Sequence, residues 1–267
     1  MGFEINRIRF SYGNNMVLHD LSIKMEPGRF YGIVGPNGCG KTTLLDILVR
    51  DKKPESGTVR YNGKGLGEYT RKDMARSIAL VPQDFYIHFP FTLEEIILMG
   101  RHPYISRFSS PSADDLEIVS AVMAETGIER FARRYVTDLS GGEKQRVVFA
   151  RALAQDTPVL ILDEATSNLD IKYTLDLLNI AESRVRIEGK TVIAVMQNLN
   201  LAALYCDYLI FMKKGKMVAH GDIDKVLNEQ NIQTVFGVES KVHFEPYSNS
   251  KRVVFKSGRD TEGQVSQ

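Results

Sequence analysis

Short apolar runs separated by polar or glycine-containing turns open the chain and predict strands over residues 3–10, 21–25 and 30–34. Three later runs are continuously apolar: PVLILD at 158–163, TVIAVM at 191–196 and YLIFM at 208–212. Runs of this kind are typical of parallel strands whose two faces are both covered. The pattern therefore predicts an α/β fold with a mainly parallel core sheet.

Helical patterns fill the segments between these strands. Residues 84–140 contain no comparable strand, and TLEE at 92–95 and SADD at 112–115 are capping-box sequences that each predict the start of a helix. We therefore predict a helical insertion in the α/β core, at about residues 84–155. Residues 171–187 also have helical spacing, with one face formed by Tyr173, Leu177, Ile180, Ala181 and Val185.

Composition and charge narrow the classes of function. The 267 residues are 43% hydrophobic, as in a globular protein, and 34 Lys and Arg balance 33 Asp and Glu. Such a balance gives no broad basic field, so we do not expect nucleic acid as the main partner. Cys39 and Cys206 lie far apart without zinc-type spacing, which suits a reducing, cytosolic compartment. No apolar stretch approaches 18 residues and the start lacks a signal pattern, so a membrane role would need a partner.

The segment GPNGCGKT lies between a predicted strand and a predicted helix and satisfies the pattern G-x-x-x-x-G-K-[ST]. In such a loop, backbone N–H groups turn towards phosphate oxygens and the positive end of the following helix adds attraction. Lys41 is placed to reach the β and γ phosphates, and Thr42 offers a hydroxyl to Mg²⁺. The flanking elements favour nucleotide binding over an ordinary glycine turn. We expect the whole loop to contact ATP: Gly35, Pro36, Asn37, Gly38, Cys39, Gly40, Lys41, Thr42 and Thr43.

Cys39 lies inside this loop, near the positive end of the predicted helix, which can lower the pKa of a thiol. The alternative, which we favour, is a small residue that fits the loop. If the thiol is accessible, a thiol-directed reagent should block nucleotide binding and Mg-ATP should protect.

The segment VLILDE is a second apolar strand that ends in two carboxylates. Asp163 can hold Mg²⁺ through its water shell, and Glu164 is placed to polarise the water that attacks the γ phosphate. Two acids after a strand can instead mark the start of a helix, but beside a phosphate loop we expect Glu164 to be the catalytic base.

The segment LSGGEKQRVVFARALA at 139–154 predicts a helix capped by Ser140, with Glu143 as the third residue of a capping box. Gly141 and Gly142 each cost the helix about 1 kcal/mol relative to Ala. Their presence is explained if a ligand approaches the backbone closely, so that Ser140 and the first N–H groups form an anion site.

Together, GPNGCGKTT, LSGGEKQ and LILDEATSNLD resemble the nucleotide-binding subunits of ATP-binding cassette (ABC) transporters, in the family's order and approximate spacing. The resemblance covers nearly all of residues 3–240 and implies a P-loop NTPase cassette with an antiparallel β subdomain. It implies that Tyr12 stacks on adenine, that Gln83 links the γ phosphate and Mg²⁺ to the helical insertion, and that Asp170 orders the dimer interface. Ala165 stands where many relatives have Pro.

The family architecture implies a head-to-tail homodimer, in which Ser140, Gly141, Gly142 and Glu143 of one cassette contact the γ phosphate on the other. We predict a single ABC ATPase domain over residues 1–240 and a short C-terminal extension over 241–267. The end of that extension should be disordered, because the residues after Val254 lack periodicity.

Residues 91–104 and 139–171 are similar to the ATPases of importers for iron-siderophores, haem and vitamin B12, whose permeases are fed by a separate binding protein. This implies a peripheral protein at the cytoplasmic face of the membrane that contacts an integral-membrane permease through the region from Gln83 to Tyr104. The aromatic run FYIHFPF at 85–91 would form part of the permease groove, or else the core of the helical insertion. Unchanged permease binding after Phe85→Ala and Tyr86→Ala would contradict the interpretation that this run forms part of the permease groove.

In the family, the strand matching TVIAVM is usually followed by a histidine that contacts the γ phosphate, and here that position is Gln197. Glutamine keeps an N–H donor but cannot become a cation. Because outright loss of a transition-state donor costs about 10² to 10³ in rate, we expect slowed hydrolysis, about tenfold below a His version.

Three functions remain open on the sequence. The first is an ATPase that energises import, and the second is an ATP-binding regulatory module with very low turnover, motivated only by Gln197. The third, a soluble ABC protein of repair or translation, usually has two cassettes in one chain or a long coiled-coil insertion, and we find neither pattern in the sequence.

Overall fold

A six-stranded sheet lies at the centre of the fold in this computed structural model, which describes residues 2–83, 85, 89–167 and 169–257. The described residues form twelve strands: β1 (Phe3–Tyr12), β2 (Asn15–Met25), β3 (Phe30–Val34), β4 (Ser56–Tyr61), β5 (Lys64–Gly65), β6 (Ile78–Val81), β7 (Val159–Asp163), β8 (Thr191–Val195), β9 (Tyr208–Lys213), β10 (Lys216–Asp222), β11 (Ser240–Glu245) and β12 (Ser250–Phe255). The central sheet has the order β10-β9-β3-β8-β7-β6, and every strand except the edge strand β10 runs parallel. The predicted mainly parallel core is confirmed.

Alternate residues of the core strands face opposite sides of this sheet. In β8, Val192 and Ala194 pack in the hydrophobic cluster that contains the helical insertion, whereas Ile193 and Val195 pack in the cluster beneath β1 and β2. All five residues of β8 are buried. The continuous apolar runs in the sequence follow directly from this double coverage.

Nine α-helices occur in the described part of the chain: α1 (Lys41–Leu48), α2 (Arg71–Ser77), α3 (Leu93–Leu98), α4 (Ala113–Glu125), α5 (Gly141–Ala154), α6 (Ile171–Arg186), α7 (Leu199–Tyr205), α8 (Ile223–Val226) and α9 (Glu229–Phe236). The predicted starts of α3, α4 and α5 are confirmed, because Thr92, Ser112 and Ser140 cap them in complete capping boxes. The buried face of α6 lies slightly off the predicted one and consists of Thr174, Leu177, Leu178, Ala181 and Val185.

A second, antiparallel sheet has the order β2-β1-β4-β5. Its strand β2 begins at Asn15, six residues before the predicted run, because the mixed segment NMVLHD also pairs with β1. The pairing is irregular, and Asp20 has a left-handed backbone with φ 50°. A bulged strand of this kind lacks the regular alternation on which the sequence prediction relied.

A buried ion pair connects the helices α3, α4 and α5 of the helical insertion. Arg101, just after α3, donates through Nε to Asp115 Oδ1 of α4 over 2.8 Å and through Nη1 to Ala154 O at the end of α5 over 2.9 Å. Both charged side chains are less than 10% exposed. The pair therefore fixes α3 and α4 against α5, the helix that begins at Ser140.

The strands β11 and β12 form a hairpin within the segment that the sequence analysis treated as an extension. Its strands were missed because Lys, Arg and His interrupt the apolar positions. Disorder was predicted for the residues after Val254, but Phe255 still belongs to β12. Residues 258–267 lie outside the described residues, and the division at 240 stays a prediction. Among the described helices, none is both long and apolar enough to cross a bilayer.

Candidate nucleotide site

Four polar segments meet at one edge of the central sheet because parallel strands present their carboxyl ends together. Gly35 follows β3, Gln83 lies two residues beyond β6, Asp163 ends β7 and Gln197 lies two residues beyond β8. In α/β sheets this edge is where ligands bind. The fold thus brings segments from four regions of the sequence to one candidate site.

The phosphate loop turns sharply between β3 and α1. Gly38 and Gly40 have left-handed φ values of 74° and 100°, and a Cβ on Gly40 would lie 2.7 Å from the Leu18 side chain. Glycine is therefore required at position 40 both by conformation and by the approach of β2. Lys41 is buried, and its Nζ donates to Gly35 O over 2.9 Å and to Pro36 O over 3.2 Å. The ammonium group thus lies within the curve of the loop.

The remaining loop residues differ in exposure. Asn37 and Gly38 are exposed at the tip, whereas Thr43 is buried in the packed side of α1. Thr42, the residue before Thr43, is exposed, and its hydroxyl contacts Asp163 at the end of β7.

The thiol of Cys39 lies beneath the loop and is only 3% exposed. A Cβ on Gly35 would lie 2.8 Å from Cys39 Sγ, so the side chain packs against the first glycine of the loop. Burial raises the pKa of Cys39 and outweighs the lowering by Lys41. The idea that the helix end lowers this pKa is therefore wrong, and Cys39 is a small buried residue.

Two oxygen-bearing side chains from different elements meet beside the loop. Thr42 Oγ1 of α1 donates to Asp163 Oδ1 of β7 over 3.2 Å. Asp163 is 5% exposed, and this burial raises its pKa to about 6, with a smaller contribution from the charge of Glu164 and an opposing one from the Thr42 hydroxyl. A hydroxyl and a carboxylate are the hard oxygen ligands that Mg²⁺ prefers, so the donor set fits that ion.

Glu164 and Gln197 contact each other directly. Gln197 Nε2 donates to Glu164 Oε2 over 2.6 Å. Glu164 has a left-handed backbone with φ 49°, a conformation that costs a non-glycine residue about 1 kcal/mol or more. The turn is closed by a hydrogen bond from Ser167 N to Glu164 O over 3.0 Å. The strained turn and the amide together fix the position of the Glu164 carboxylate.

Asn198, the neighbour of Gln197, has a different role. Its Oδ1 accepts hydrogen bonds from Asn200 N over 2.9 Å and from Leu201 N over 3.2 Å, so it is the N-cap of α7. An amide at this position is an ordinary helix start. Of the two amides that follow β8, only Gln197 reaches a carboxylate of the candidate site.

Tyr12 and Gln83 are two further predicted site residues. Tyr12 is 50% exposed at the tip of the β1–β2 hairpin, packs edge-to-face on Phe10 with ring centroids 5.1 Å apart, and has Lys52 Nζ 5.7 Å from its ring. The same hairpin contacts Gly40 through Val17 and Leu18. Gln83 is exposed beyond β6.

Ser140 and Glu143 bind each other at the start of α5. Ser140 Oγ donates to Glu143 Oε2 over 2.8 Å, and the backbone and hydroxyl of Ser140 lower the pKa of Glu143. Asp170 caps α6 by accepting from Tyr173 N over 2.9 Å. Within the described residues, no hydrogen bond of Ser140, Glu143 or Asp170 reaches residues 35–43. Gly141 is exposed and Gly142 half-buried.

A groove of about 790 Å³ lies between the core and the helical insertion, and the sequence analysis missed most of its lining. Its lining includes Leu80 of β6 and Pro82 just beyond it, Met74 of α2, Arg151 of α5 and Gln155, which follows α5. The Arg151 guanidinium also lies 4.4 Å from the ring centroid of the partly buried Phe85. These residues are scattered along the chain and share no motif, so no local signal marks the groove.

A P-loop NTPase cassette is the class of protein that this fold and loop define. The family model described as "ABC transporter" matches residues 18–167. The chain therefore belongs to the ABC transporter family.

Several similar proteins are named as ATP-binding proteins of importers. The chain is 33% identical to the iron(3+)-hydroxamate import ATP-binding protein FhuC of Bacillus subtilis, over 91% of this chain and 90% of that protein. It is 36% identical to the cobalamin import ATP-binding protein BtuD of Halobacterium salinarum, over 95% of this chain. The chain spans 57% of the length of the ABC transporter ATP-binding protein YvrA of Bacillus subtilis, to which it is 37% identical, and 63% of the length of the BtuD protein.

Solved structures give the same family. An inward-facing ABC transporter assigned to the metal-chelate type superposes with a TM-score of 0.82 at 25% identity, covering 96% of each chain. The ATP-binding cassette MJ0796, solved as a dimer bound to ADP and phosphate, superposes with a TM-score of 0.74 at 26% identity, covering 83% of this chain and 98% of that one.

Proposed function

We propose that this chain is the ATP-hydrolysing subunit of an ABC importer. The observation that carries the proposal is the convergence of the phosphate loop, Asp163, Glu164 and Gln197 at one sheet edge. Each of these features supplies a different part of phosphoryl transfer. No comparison supports the alternative of a regulatory module with very low turnover.

ATP binding is assigned to the loop from Gly35 to Thr43 and to Tyr12. The N–H groups of the loop and the start of α1 attract the phosphates, and the Lys41 ammonium neutralises the β and γ phosphates. Tyr12 stands half exposed on a hairpin that contacts the loop, where its ring face is available to adenine. Thr42, Asp163 and Gln83 would hold Mg²⁺, which neutralises charge on the β and γ phosphate oxygens.

Glu164 is the proposed catalytic base. Its carboxylate is held by the Gln197 amide, which leaves the second oxygen, Oε1, to accept a proton from water. Gln197 therefore positions Glu164 and presents its own carbonyl oxygen as a further acceptor. The position usually held by histidine keeps an N–H donor here, so hydrolysis is slowed rather than abolished.

The proposed assembly is a head-to-tail homodimer. The start of α5 makes no hydrogen bond to residues 35–43 within the described part of the chain. In the proposed dimer a second copy would bring its γ phosphate to Ser140, Gly141, Gly142 and Glu143. Asp170 caps α6 next to Ile171, which is 81% exposed and offers an apolar contact to a partner cassette. The dimeric state of the MJ0796 cassette supports this arrangement.

The proposed partner is an integral-membrane permease, bound through the region from Gln83 to Tyr104 and the adjoining groove at Leu80, Pro82 and Arg151. Within the aromatic run, Phe85 is partly buried in the core cluster, whereas Phe89 is 69% and Phe91 is 37% exposed. Phe85 thus belongs to the packed core, and Phe89 and Phe91 are the described aromatics free to contact a partner. Residues 86–88 lie outside the described part.

The transported compound is proposed from the relatives, whose names specify ferric hydroxamate and cobalamin. An iron-siderophore comes first, followed by haem, cobalamin or another metal chelate, delivered to the permease by a separate binding protein. The chain would lie at the cytoplasmic face of the membrane and would not contact that compound.

Reconstitution with the permease and binding protein tests the proposal. We expect phosphate release from Mg-ATP that rises when the loaded binding protein is added, together with uptake of the chelate. Background phosphate release from the complete complex would contradict an energising ATPase, and release without chelate uptake would contradict the proposed substrate class.

A further inference from the structure

The C-terminal hairpin touches α7, the helix that begins two residues after Gln197. Asn200, in the first turn of α7, makes two hydrogen bonds to the backbone of Val253 in β12. Val253 N donates to Asn200 Oδ1 over 2.7 Å, and Asn200 Nδ2 donates to Val253 O over 3.2 Å. One amide thus satisfies both polar groups of a strand residue. Because both ends of the amide are bound, the Asn200 side chain, and with it the first turn of α7, is held against β12.

The hairpin is itself firmly held. Val253 is 3% exposed in the main core cluster. On the opposite strand β11, Val242 N donates to Glu229 Oε1 of α9 over 2.8 Å. On β12 itself, Lys251 Nζ donates to Leu227 O over 2.9 Å. The hairpin is therefore a fixed support against which Asn200 can hold α7.

The other end of α7 is anchored independently. Cys206, which follows the helix, packs against β3, where a Cβ on Gly32 would lie 2.7 Å from Cys206 Sγ. The last turn thus lies against the core sheet, while Asn200 restrains the first turn. Gln197 directly precedes the N-cap Asn198, so its distance to Glu164 depends on how that first turn is held.

We propose that Asn200 is a positioning residue for hydrolysis: by binding Val253, it holds the start of α7 so that Gln197 keeps its hydrogen bond to Glu164. This inference rests on the proposed roles of Gln197 and Glu164. It extends the nucleotide site to a hairpin that contributes no group to the site itself.

A double-mutant cycle on the full chain tests the inference, with Asn200→Ala made in the wild type and in Gln197→Ala. We expect Asn200→Ala to lower kcat about fivefold in the wild type, since small misplacements of catalytic groups cost rate, with KM for ATP unchanged within about twofold. In Gln197→Ala we expect no further loss, because the two residues act through one contact.

The matched control is Thr70→Ala, which removes the N-cap hydrogen bond of α2 and leaves the Glu229 support of the hairpin intact. We expect this variant to lower Tm by about as much as Asn200→Ala and to change kcat less than about twofold. An equal loss of kcat in the control would show general loosening and would overturn the inference.

The possible failures are distinguishable. If Gln197→Ala leaves kcat unchanged, the proposed role of Gln197 fails and the inference fails with it. If Gln197→Ala slows hydrolysis but Asn200→Ala does not, or if Asn200→Ala has the same effect in both backgrounds, only the inference fails.

Discussion

Gln197 Nε2 and Glu164 Oε2 are 2.6 Å apart, so the side chain beyond β8 binds the carboxylate that follows β7. The contact joins two residues that lie 33 positions apart in the sequence. A neutral amide thus holds the Glu164 carboxylate at the position where the family resemblance implies a histidine. The amide orients the proposed base but contributes no positive charge.

Replacing Gln197 by His should therefore accelerate hydrolysis. We expect Gln197→His to raise the single-turnover rate about tenfold, because a histidine retains a donor to Glu164 and adds the option of a cation near the γ phosphate. Rapid-quench measurement of one turnover at saturating Mg-ATP provides the test. Gln197→Ala is the control and should be slower than the wild type, whereas equal rates for the His variant and the wild type would contradict the prediction.

Removing the carboxylate of Glu164 should separate binding from hydrolysis. We expect Glu164→Gln to bind Mg-ATP with an affinity close to that of the wild type and to hydrolyse it at least about 10² times more slowly, because general-base catalysis contributes 10²–10⁴. If two copies of the chain associate on binding ATP, size-exclusion chromatography of this variant should show an ATP-dependent dimer. Glu188→Gln, an acidic residue at the opposite end of the sheet, is the control and should hydrolyse ATP normally.

Those parts of the fold that depend on local pattern could be predicted from the sequence. The strands β3, β7 and β8 are buried on both faces and read as unbroken apolar runs, and Thr92, Ser112 and Ser140 mark their helices by capping boxes. In contrast, the strand β6 was not predicted, because its four residues are too few to give a periodic pattern.

The contacts around the site could not be predicted in the same way. The hydrogen bonds between Asn200 and Val253 join residues 53 positions apart. Asn200 binds the backbone of Val253, and a backbone partner leaves no signature in the sequence. The burial of Cys39 also depends on tertiary packing, which opposes the expected effect of the helix end.

Cys39 should consequently react slowly. At neutral pH its raised pKa lowers the thiolate fraction, and its burial restricts access, so we expect labelling by a maleimide to be at least about tenfold slower than in the urea-unfolded chain. The measurement uses Cys206→Ala, in which Cys39 is the only thiol. Rapid labelling that blocks nucleotide binding, with protection by Mg-ATP, would restore the accessible-thiol interpretation.

The Arg101–Asp115 pair predicts a pH-dependent stability. Arg101 lowers the pKa of Asp115, so the stabilisation is present above the unfolded-state pKa of about 4 and is lost as pH falls through the lower folded-state value. We expect Asp115→Asn to reduce the free energy of unfolding by about 3 kcal/mol at pH 7, because it leaves a buried guanidinium unpaired. Urea unfolding should show this difference narrowing below about pH 4. Asp114→Asn, an exposed neighbour in α4, is the control, and a difference independent of pH would contradict the ion-pair explanation.

Permease binding should depend on Phe89 and not on Phe85 alone. Phe89 is 69% exposed, and its ring packs edge-to-face with Phe91 at a centroid distance of 6.3 Å. Burying an exposed phenylalanine at an interface contributes about 1.5–3 kcal/mol, so Phe89→Ala should weaken copurification with the permease about tenfold or more. Tyr247→Ala, a 99% exposed aromatic on the C-terminal hairpin, should bind as the wild type does. Phe85→Ala is less informative because it opens a cavity beside Arg151. Equal copurification of Phe89→Ala and the wild type would place the permease contact elsewhere on the cassette.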